Sequence, residues 1–473
     1  MKSGNLLFLF TALMLVFAPW VVHARQPLTL SSNNEASAKA ATSTAEGPSS
    51  AMNSLAEADA PAAVYSPGAD SLGIVLDLLD DDIRFPTLPY YTYGSGLGIT
   101  SPDSTFRMNI RFRMQNRSTL NLNDGRDDTV EGVVRRLRLR FDGFVGNPKF
   151  LYAIQLSFSP GDVGTLRDGD GINIIRDAMF FYRPNPRINL GFGQTKLPGN
   201  RQRLNSSGAL QLTDRSINNA RFTIDRDYGV HAYYLNEYDD AFSWNIKTAV
   251  STGNGRNWTR NLSTDLAYTG RVEVMPFGEM GMFFEGDIRR NQTPKLLLSA
   301  TYHLNQGAQR TGGQTGGSLF DTRDLTSFFF DGMFKYQGFS AMYAYMLRSV
   351  DGTAITAEFP DQMMLSNLAP DLIMPAVGSY SAVFAGDGHD VQLSYLFRSN
   401  YELITRYSVQ TVLRDVAAVY PDRNQLSFGV TRYIWEHSLK LQGEVTRTRS
   451  DWRFGNQPDR EDWYLRFQVE IGI

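Results

Sequence analysis

Seven arginines fall on alternate positions of two short stretches: Arg107, Arg111, Arg113 and Arg117 within 106–117, and Arg136, Arg138 and Arg140 within 135–142. Phe, Met, Ile and Leu fill most of the places between them. A period of two belongs to a β-strand, whose successive side chains point to opposite faces, so each stretch predicts one apolar and one cationic face. A guanidinium stays charged at any working pH and offers a planar fork to phosphate or carboxylate oxygens. Like charges on neighbouring strands repel, so the two faces call for carboxylates, water or passing anions. Asp142 and the acids of the intervening stretch, Asp124, Asp127, Asp128 and Glu131, can supply part of that compensation. Lining a narrow water-filled passage, such a ladder favours anions, provided each site releases what it binds; in a closed wall it would only be a salt-bridged brace.

A second basic set lies on the connection 196–226, where Lys196, Arg201, Arg203, Arg215 and Arg221 stand against Asp214 and Asp225. It follows the fifth predicted strand. It is a candidate constriction loop that extends the cationic path, or an external loop that bridges lipopolysaccharide phosphates. Further lumen positions, Glu402, Arg406, Lys440, Glu444, Arg466 and Glu470, have mixed sign and predict a modest preference. Other chemistry is sparse. Asp168-Gly169-Asp170-Gly171 has the start of a calcium loop without its later ligands, and Gly307–Ser318 lacks the Gly-Lys-Ser/Thr ending of a phosphate loop. Gly386–Asp390 offers one His and two Asp, too few for a metal site. Four histidines, His231, His303, His389 and His437, lie outside the leader and outside any Ser or Asp motif, which argues against a hydrolytic enzyme. No cofactor is expected.

The elements that must carry these residues are strands. The same alternation returns in Trp463–Ile473, and no helical period of useful length follows residue 90. In a soluble sandwich the apolar faces would need a covering layer; in a membrane barrel they meet lipid, and the polar faces meet a water-filled lumen. Aromatic residues make up 12% and charged residues 20% of the 473 positions, and mean hydropathy is -0.29. Outside the first 24 residues there is no apolar run long enough for a membrane helix, which leaves a β-barrel open because its strands average out as polar. A net charge of -3 excludes a globally basic nucleic-acid binder. With no cysteine, disulfide scaffolds, thiol catalysis and Cys-zinc sites are excluded as well.

Connection lengths alternate as barrels require, short on the periplasmic side and long outside. Short ones are predicted at 146–148, 184–186, 236–240, 337–338, 399–400 and 434–437. Longer ones are predicted at 118–132, 160–173, 196–226, 251–266, 304–325, 349–379, 411–422 and 448–460. The fold expected is therefore all-β, a transmembrane antiparallel barrel of about sixteen strands over 89–473, wide enough for an aqueous channel. One stretch, Phe277 to Pro294, sits where a short turn belongs and reads as an extended periplasmic segment. Ahead of the barrel, Met1 and Lys2, the apolar run Leu6–Val22 and the small residues before Ala24 predict a secretory signal peptide over 1–24. Residues 25–88 read as an Ala/Ser-rich flexible periplasmic segment with an acidic stretch at 71–83. That stretch is a solvated tether, or a plug whose Asp80–Asp82 stop a basic lumen and leave a structural barrel.

Several runs resemble the phosphate-selective porin O and P family: Arg135–Gly143, Asp177–Pro184, Gly193–Pro198, Arg226–Val230, Gly270–Gly278 and Tyr401–Tyr407. Their order and spacing cover most of 90–473. The resemblance implies a sixteen-stranded outer-membrane porin of a Gram-negative cell, commonly a homotrimer, with a long loop folded into the lumen and arginines guiding small anions such as phosphate. A non-selective general porin is the alternative it leaves open. Outer-membrane lipid and lipopolysaccharide are the other expected partners, and Ile473 departs from the aromatic terminal residue usual in the family.

Overall fold

A strand with one apolar and one polar face can sit between lipid and water only if both backbone edges are paired, and the alternation is therefore realised as a closed ring. The computed structural model describes residues 90–92, 94–163, 173–257, 264–280, 284–365, 373–375, 378–454 and 457–473. The predicted signal peptide, the segment 25–88 with its acidic stretch, and Asp168–Gly171 lie outside the described residues.

Two short strands lead in, β1 (Tyr90–Thr92) and β2 (Gly96–Thr100). The wall follows as β3 (Phe106–Leu122), β4 (Thr129–Val145), β5 (Asn147–Ser157), β6 (Ile175–Asn185), β7 (Ile188–Lys196), β8 (Arg226–Asn236), β9 (Ser243–Ser251) and β10 (Ala267–Met275). It continues as β11 (Lys295–Arg310), β12 (Ser318–Tyr336) and β13 (Phe339–Val350). Four short strands occupy one long outer loop: β14 (Ile355–Ala357), β15 (Met363–Leu365), β16 (Ile373–Pro375) and β17 (Tyr380–Ala382). The wall ends with β18 (Gly386–Leu396), β19 (Tyr401–Val412), β20 (Asp422–Trp435), β21 (Leu439–Asp451) and β22 (Arg460–Gly472).

Each wall strand pairs antiparallel with its neighbours, and β22 returns to β3 with Trp463 opposite Leu122 and Gly472 opposite Arg113. That pairing closes a sixteen-stranded barrel. Below Arg113 the edge of β3 is completed by β2, which sets Leu97 against Ile110 and Thr100 against Arg107. Phe150, Phe180, Phe192, Tyr302, Leu403 and Phe428 are among the large apolar residues exposed on the outer surface, as a lipid-facing belt requires.

Three expected loops prove shorter than their polar composition suggested. The ladder persists to Asn121↔Thr129, Arg310↔Ser318 and Ser450↔Arg460, so the outer connections there are 123–128, 311–317 and 452–459. Beyond the bilayer both faces of a strand meet water, and the alternation fades although backbone pairing continues. The expected short turns are found at 146, 186–187, 237–242, 337–338, 397–400 and 436–438.

Two segments fold inward. The inner loop, 197–225, carries helices α2 (Arg201–Leu204) and α3 (Ile217–Phe222), after α1 (Pro160–Val163) in the preceding outer loop. The lower strap, 276–294, is the segment expected to be extended, and it enters the barrel from the periplasmic end. Its Phe284 ring lies 4.3 Å from the His437 ring, and Gly338 donates its N–H to Asp287 at 2.8 Å. Glu285 accepts from the Gln211 N–H of the inner loop at 3.0 Å.

The lumen is not polar throughout, contrary to the simple lipid-out, water-in expectation. Leu197, Phe222 and Ile224 of the inner loop pack with Ile355, Val383 and Phe384 of the long outer loop and with Phe329 and Met346 of the wall. The Phe222 and Phe384 rings meet at 5.2 Å, and each such buried side chain contributes roughly 2 kcal/mol. This apolar plug packs against β12 and β13; on the β3–β7 side the lumen holds the cavity lined by the arginines and, lower down, a smaller apolar cluster of Phe144, Leu151, Met179 and Phe181.

Candidate functional site

The register decides which arginines meet. Arg111 lies opposite Arg140, Arg113 opposite Arg138, and Gln115 opposite Arg136, all on the lumen face. Arg107 shares that face at the lower rim, opposite Phe144. A β-bulge after Gln115 leaves Arg135 outside the alternation and lets it reach the lumen as well.

Compensation is partial and unevenly placed. Asp142 accepts from both Arg111 and Arg140. Asp214, on the inner loop, accepts from Arg117 at 3.2 Å, Arg135 at 2.8 Å and Arg136 at 2.9 Å. Asp162 on α1 binds Arg138 and Arg176, each at 2.7 Å. Burial pushes the Asp214 carboxyl up, but Arg136, Arg135 and Arg117 outweigh it and hold the group well below the usual carboxylate range. Asp162 is lowered in the same way, burial being overcome by Arg138 and Arg176, and Asp225 by Arg203 and Arg226. The expected loop acids serve elsewhere. Asp124 accepts from the Glu461 N–H, Asp128 from the Asn123 N–H and Glu131 from Asn121, which ties the tip of the β3–β4 hairpin and its neighbour β22.

The basic residues of the inner loop divide into two groups. Lys196, Arg203 and Arg215 face the same cavity as the ladder. Lys196 donates to the Leu204 carbonyl at 2.8 Å, and Arg215 to the Gln202 carbonyl at 2.7 Å. Arg201 instead reaches the opposite wall, Glu273 at 3.4 Å, and Arg221 stacks 5.2 Å from the Phe384 ring centroid and 5.9 Å from that of Tyr420. These two brace the plug. The loop is buried inside the barrel, so the alternative of an external loop on lipopolysaccharide does not hold.

The far wall clamps this loop. Lys440 donates to the carbonyls of Gly208 and Leu210, at 2.9 and 2.7 Å, and Thr431 to that of Gln211 at 2.6 Å. Glu444 accepts from the Thr213 N–H at 2.9 Å, and Arg406 donates to the Asp214 carbonyl at 3.0 Å. The mixed-sign residues of β19–β22 thus hold the loop against the arginines. At its tip, Arg113 donates to Ser206 at 2.9 Å and Arg138 to Ser207 at 2.7 Å. A Cβ at Gly208 would fall 2.2 Å from the Arg113 guanidinium carbon, so a larger residue there would push that guanidinium aside.

That contact is a pinch. Above it lies a cavity of about 430 Å³ and below it one of about 120 Å³, with Arg113, Arg138, Gln155 and Ser206 lining both. Eleven cationic side chains and three carboxylates line the upper cavity. Arg176, Arg226, Arg256 and Arg135 belong to it and were not singled out from sequence. None of the four follows a simple alternation: Arg176, like Arg135, stands at a β-bulge, Arg226 opens its strand out of step with the buried His231 and Tyr233, and Arg256 depends on loop folding. Arg135, Arg176 and Arg226 share the carboxylates of Asp214, Asp162 and Asp177, and Arg256 donates to the Asp162 carbonyl at 3.4 Å. The histidines are dispersed: His231 contacts Tyr233, His303 contacts Thr269, and His389 contacts Tyr343.

No curated protein matches the chain. Among solved structures it is similar to the outer membrane channel DcaP of Acinetobacter baumannii, with 13% identity, 80% of this chain and 99% of that chain covered, and a TM-score of 0.48. It is also similar to the anion-selective porin from Comamonas acidovorans, with 11% identity, 77% and 99% covered, and a TM-score of 0.45. OprB of Pseudomonas putida matches at 9% identity, with 77% and 94% covered and a TM-score of 0.47. Residues 106–362, more than half of the chain and the span of the ladder, the bulge and the inner loop, match the family described as phosphate-selective porin O and P, and the chain belongs to that family.

Proposed function

We propose that the outer-membrane channel formed by this porin prefers small anions, phosphate among them, and passes them along the arginines of β3, β4 and β6 and through the pinch at Arg113 and Arg138. The carrying observation is the charge of the upper cavity, in which eleven cations face three carboxylates. Water and the three acids satisfy only part of that field, so an anion entering it exchanges hydration for guanidinium forks. A cation meets repulsion at every step. Ladder residues Arg111, Arg113, Arg136, Arg138 and Arg140 and loop residues Lys196, Arg203 and Arg215 are assigned this role. Arg107 and Arg117 flank the path, and Arg201 and Arg221 support its inner wall.

The test is the reversal potential of the purified protein in a planar bilayer under a potassium chloride gradient. Arg113→Gln and Arg138→Gln together should move it toward the unselective value, and phosphate should reduce chloride current in the parent more than in the variant. A reversal potential that the substitutions leave unchanged would reduce the protein to a general diffusion pore. The assembly proposed is a homotrimer, with the apolar belt in contact with lipid and lipopolysaccharide.

A further inference from the structure

The three carboxylates of the upper cavity are already engaged. Asp162 serves Arg138 and Arg176, Asp214 serves Arg135 and Arg136, and Asp225 serves Arg203 and Arg226. Arg215, Arg256 and Arg466 line the same cavity and form no ion pair among the described residues. What they touch is neutral. Arg215 donates to the carbonyls of Gln202 and Asn205 at 2.7 and 2.9 Å, Arg256 donates to the Asp162 carbonyl at 3.4 Å, and the Arg466 guanidinium lies 3.7 Å from the Tyr464 ring centroid. Glu444 stands opposite Arg466 in the register, but its two oxygens accept from the hydroxyls of Thr213, Thr446 and Tyr464. Carbonyl dipoles and a ring face orient a guanidinium without removing its charge.

The three forks come from three elements, the inner loop, the β9–β10 connection and β22, and they line one space of about 430 Å³. That volume is in the range of sites for small organic ligands, whereas a phosphate ion is smaller than the space and engages one or two forks at a time. Each guanidinium is matched by a planar carboxylate that accepts two parallel N–H bonds. Three of them on one space call for three carboxylates on one compact molecule. Below, the contacts of Arg113 with Ser206 and of Arg138 with Ser207 narrow the path, so a ligand of that size is retained above the pinch.

We infer that the upper cavity is a binding site for a compact organic anion with three carboxylates, held by Arg215, Arg256 and Arg466 and reached from the outer side. The inference rests on the anion path proposed above and adds a ligand class to it. A monovalent anion meets one fork and moves on, whereas a trianion meets three at once and stays.

Fully ionised citrate is the probe, with acetate beside it, and the readout is block of the potassium chloride current through single channels of the full-length protein. Removal of one charged contact weakens binding about ten-fold. Citrate, with two contacts more than acetate, should therefore half-block the current at a concentration about a hundred-fold lower. It should act far more weakly from the opposite side, where the pinch stands between it and the cavity. Arg256→Gln and Arg466→Gln should each raise the half-blocking citrate concentration about ten-fold and change the acetate value little. Arg432→Gln removes a guanidinium that lies outside the lumen over the Tyr401 ring, and it should leave the citrate block as it is. Citrate that blocks no better than acetate, equally from both sides, or as well in the Gln variants as in the parent overturns the site. The reversal potential of the parent in a potassium chloride gradient reads the anion path separately. Anion selectivity without citrate block keeps the path and removes the site; citrate block in an unselective channel keeps the site and removes the path.

Discussion

At the scale of single residues, Asp214 is the point on which the cationic wall balances. It lies on the inner loop, yet three wall guanidiniums, those of Arg117, Arg135 and Arg136, converge on it. Asp214→Asn keeps the shape and removes the charge. The three arginines then repel one another with less restraint, and about 2 to 3 kcal/mol of stability should be lost. That loss is read as a lower temperature for the loss of compact electrophoretic mobility. The same substitution removes one of the three negative charges of the upper cavity, so the anion-to-cation permeability ratio should rise in a planar bilayer. A variant with unchanged ratio would show that Asp214 only braces the loop. Much of this residue pattern was legible beforehand, because alternation alone places Arg111, Arg113, Arg138 and Arg140 on one face. Of their partners, Asp142 was named in advance as a compensating acid and does pair with Arg111 and Arg140; the loop partners were not assigned to these arginines. Asp162 and Asp214 come from loops whose folding has no period, and Arg135 reaches the lumen only through a bulge that no propensity encodes.

At the scale of elements, the seat of the lower strap is built to respond to proton concentration. Its seat brings carboxyl groups together: Glu279 donates its N–H to the Tyr238 carbonyl at 2.8 Å, beside Glu237 and Asp239. Burial, then the charges of Glu237 and Asp239, push Glu279 up to about 8, with Lys295 opposing. Burial, with Glu273 adding to it, pushes Glu237 up to about 7 against Lys247, Asn245 and Arg183. A carboxyl whose folded value is raised stabilises the fold most below its unfolded value, near 4.5, and that contribution is lost as pH rises through the folded value. The strap should therefore be held most firmly below about pH 5, loosen progressively up to about pH 8, and change little above that. Amide hydrogen exchange over 284–294, corrected for intrinsic rate, should quicken across that range in the parent and change less in Glu279→Gln, where only Glu237 still titrates. Equal protection at both ends of the range in the parent would remove the seat as a proton-sensitive element. The length of this segment marked it in the sequence as more than a turn. Its inward course was hidden, because that course depends on Gln211, Gly338 and His437, which are distant along the chain.

At the scale of the whole molecule, the sign of the net charge misleads. The chain carries -3 overall, yet the passage concentrates a large positive excess on the side of the barrel that the apolar plug leaves open. Any selectivity must then arise from a local field set in low-dielectric walls. Such a field is screened over about 10 Å at 0.1 M salt and about 3 Å at 1 M. Groups that touch the permeating ion at the pinch lose little by screening, whereas the more distant cations of the upper cavity lose most of their influence. Anion preference measured under a fixed concentration ratio should therefore fall steeply between 0.1 and 1 M potassium chloride and level off above zero, the remainder belonging to Arg113 and Arg138. In the Arg113→Gln, Arg138→Gln protein the same titration should continue down to no preference at 1 M. Selectivity that stays constant across the salt range in the parent would place the whole effect at the pinch and leave the upper cavity without a part in it.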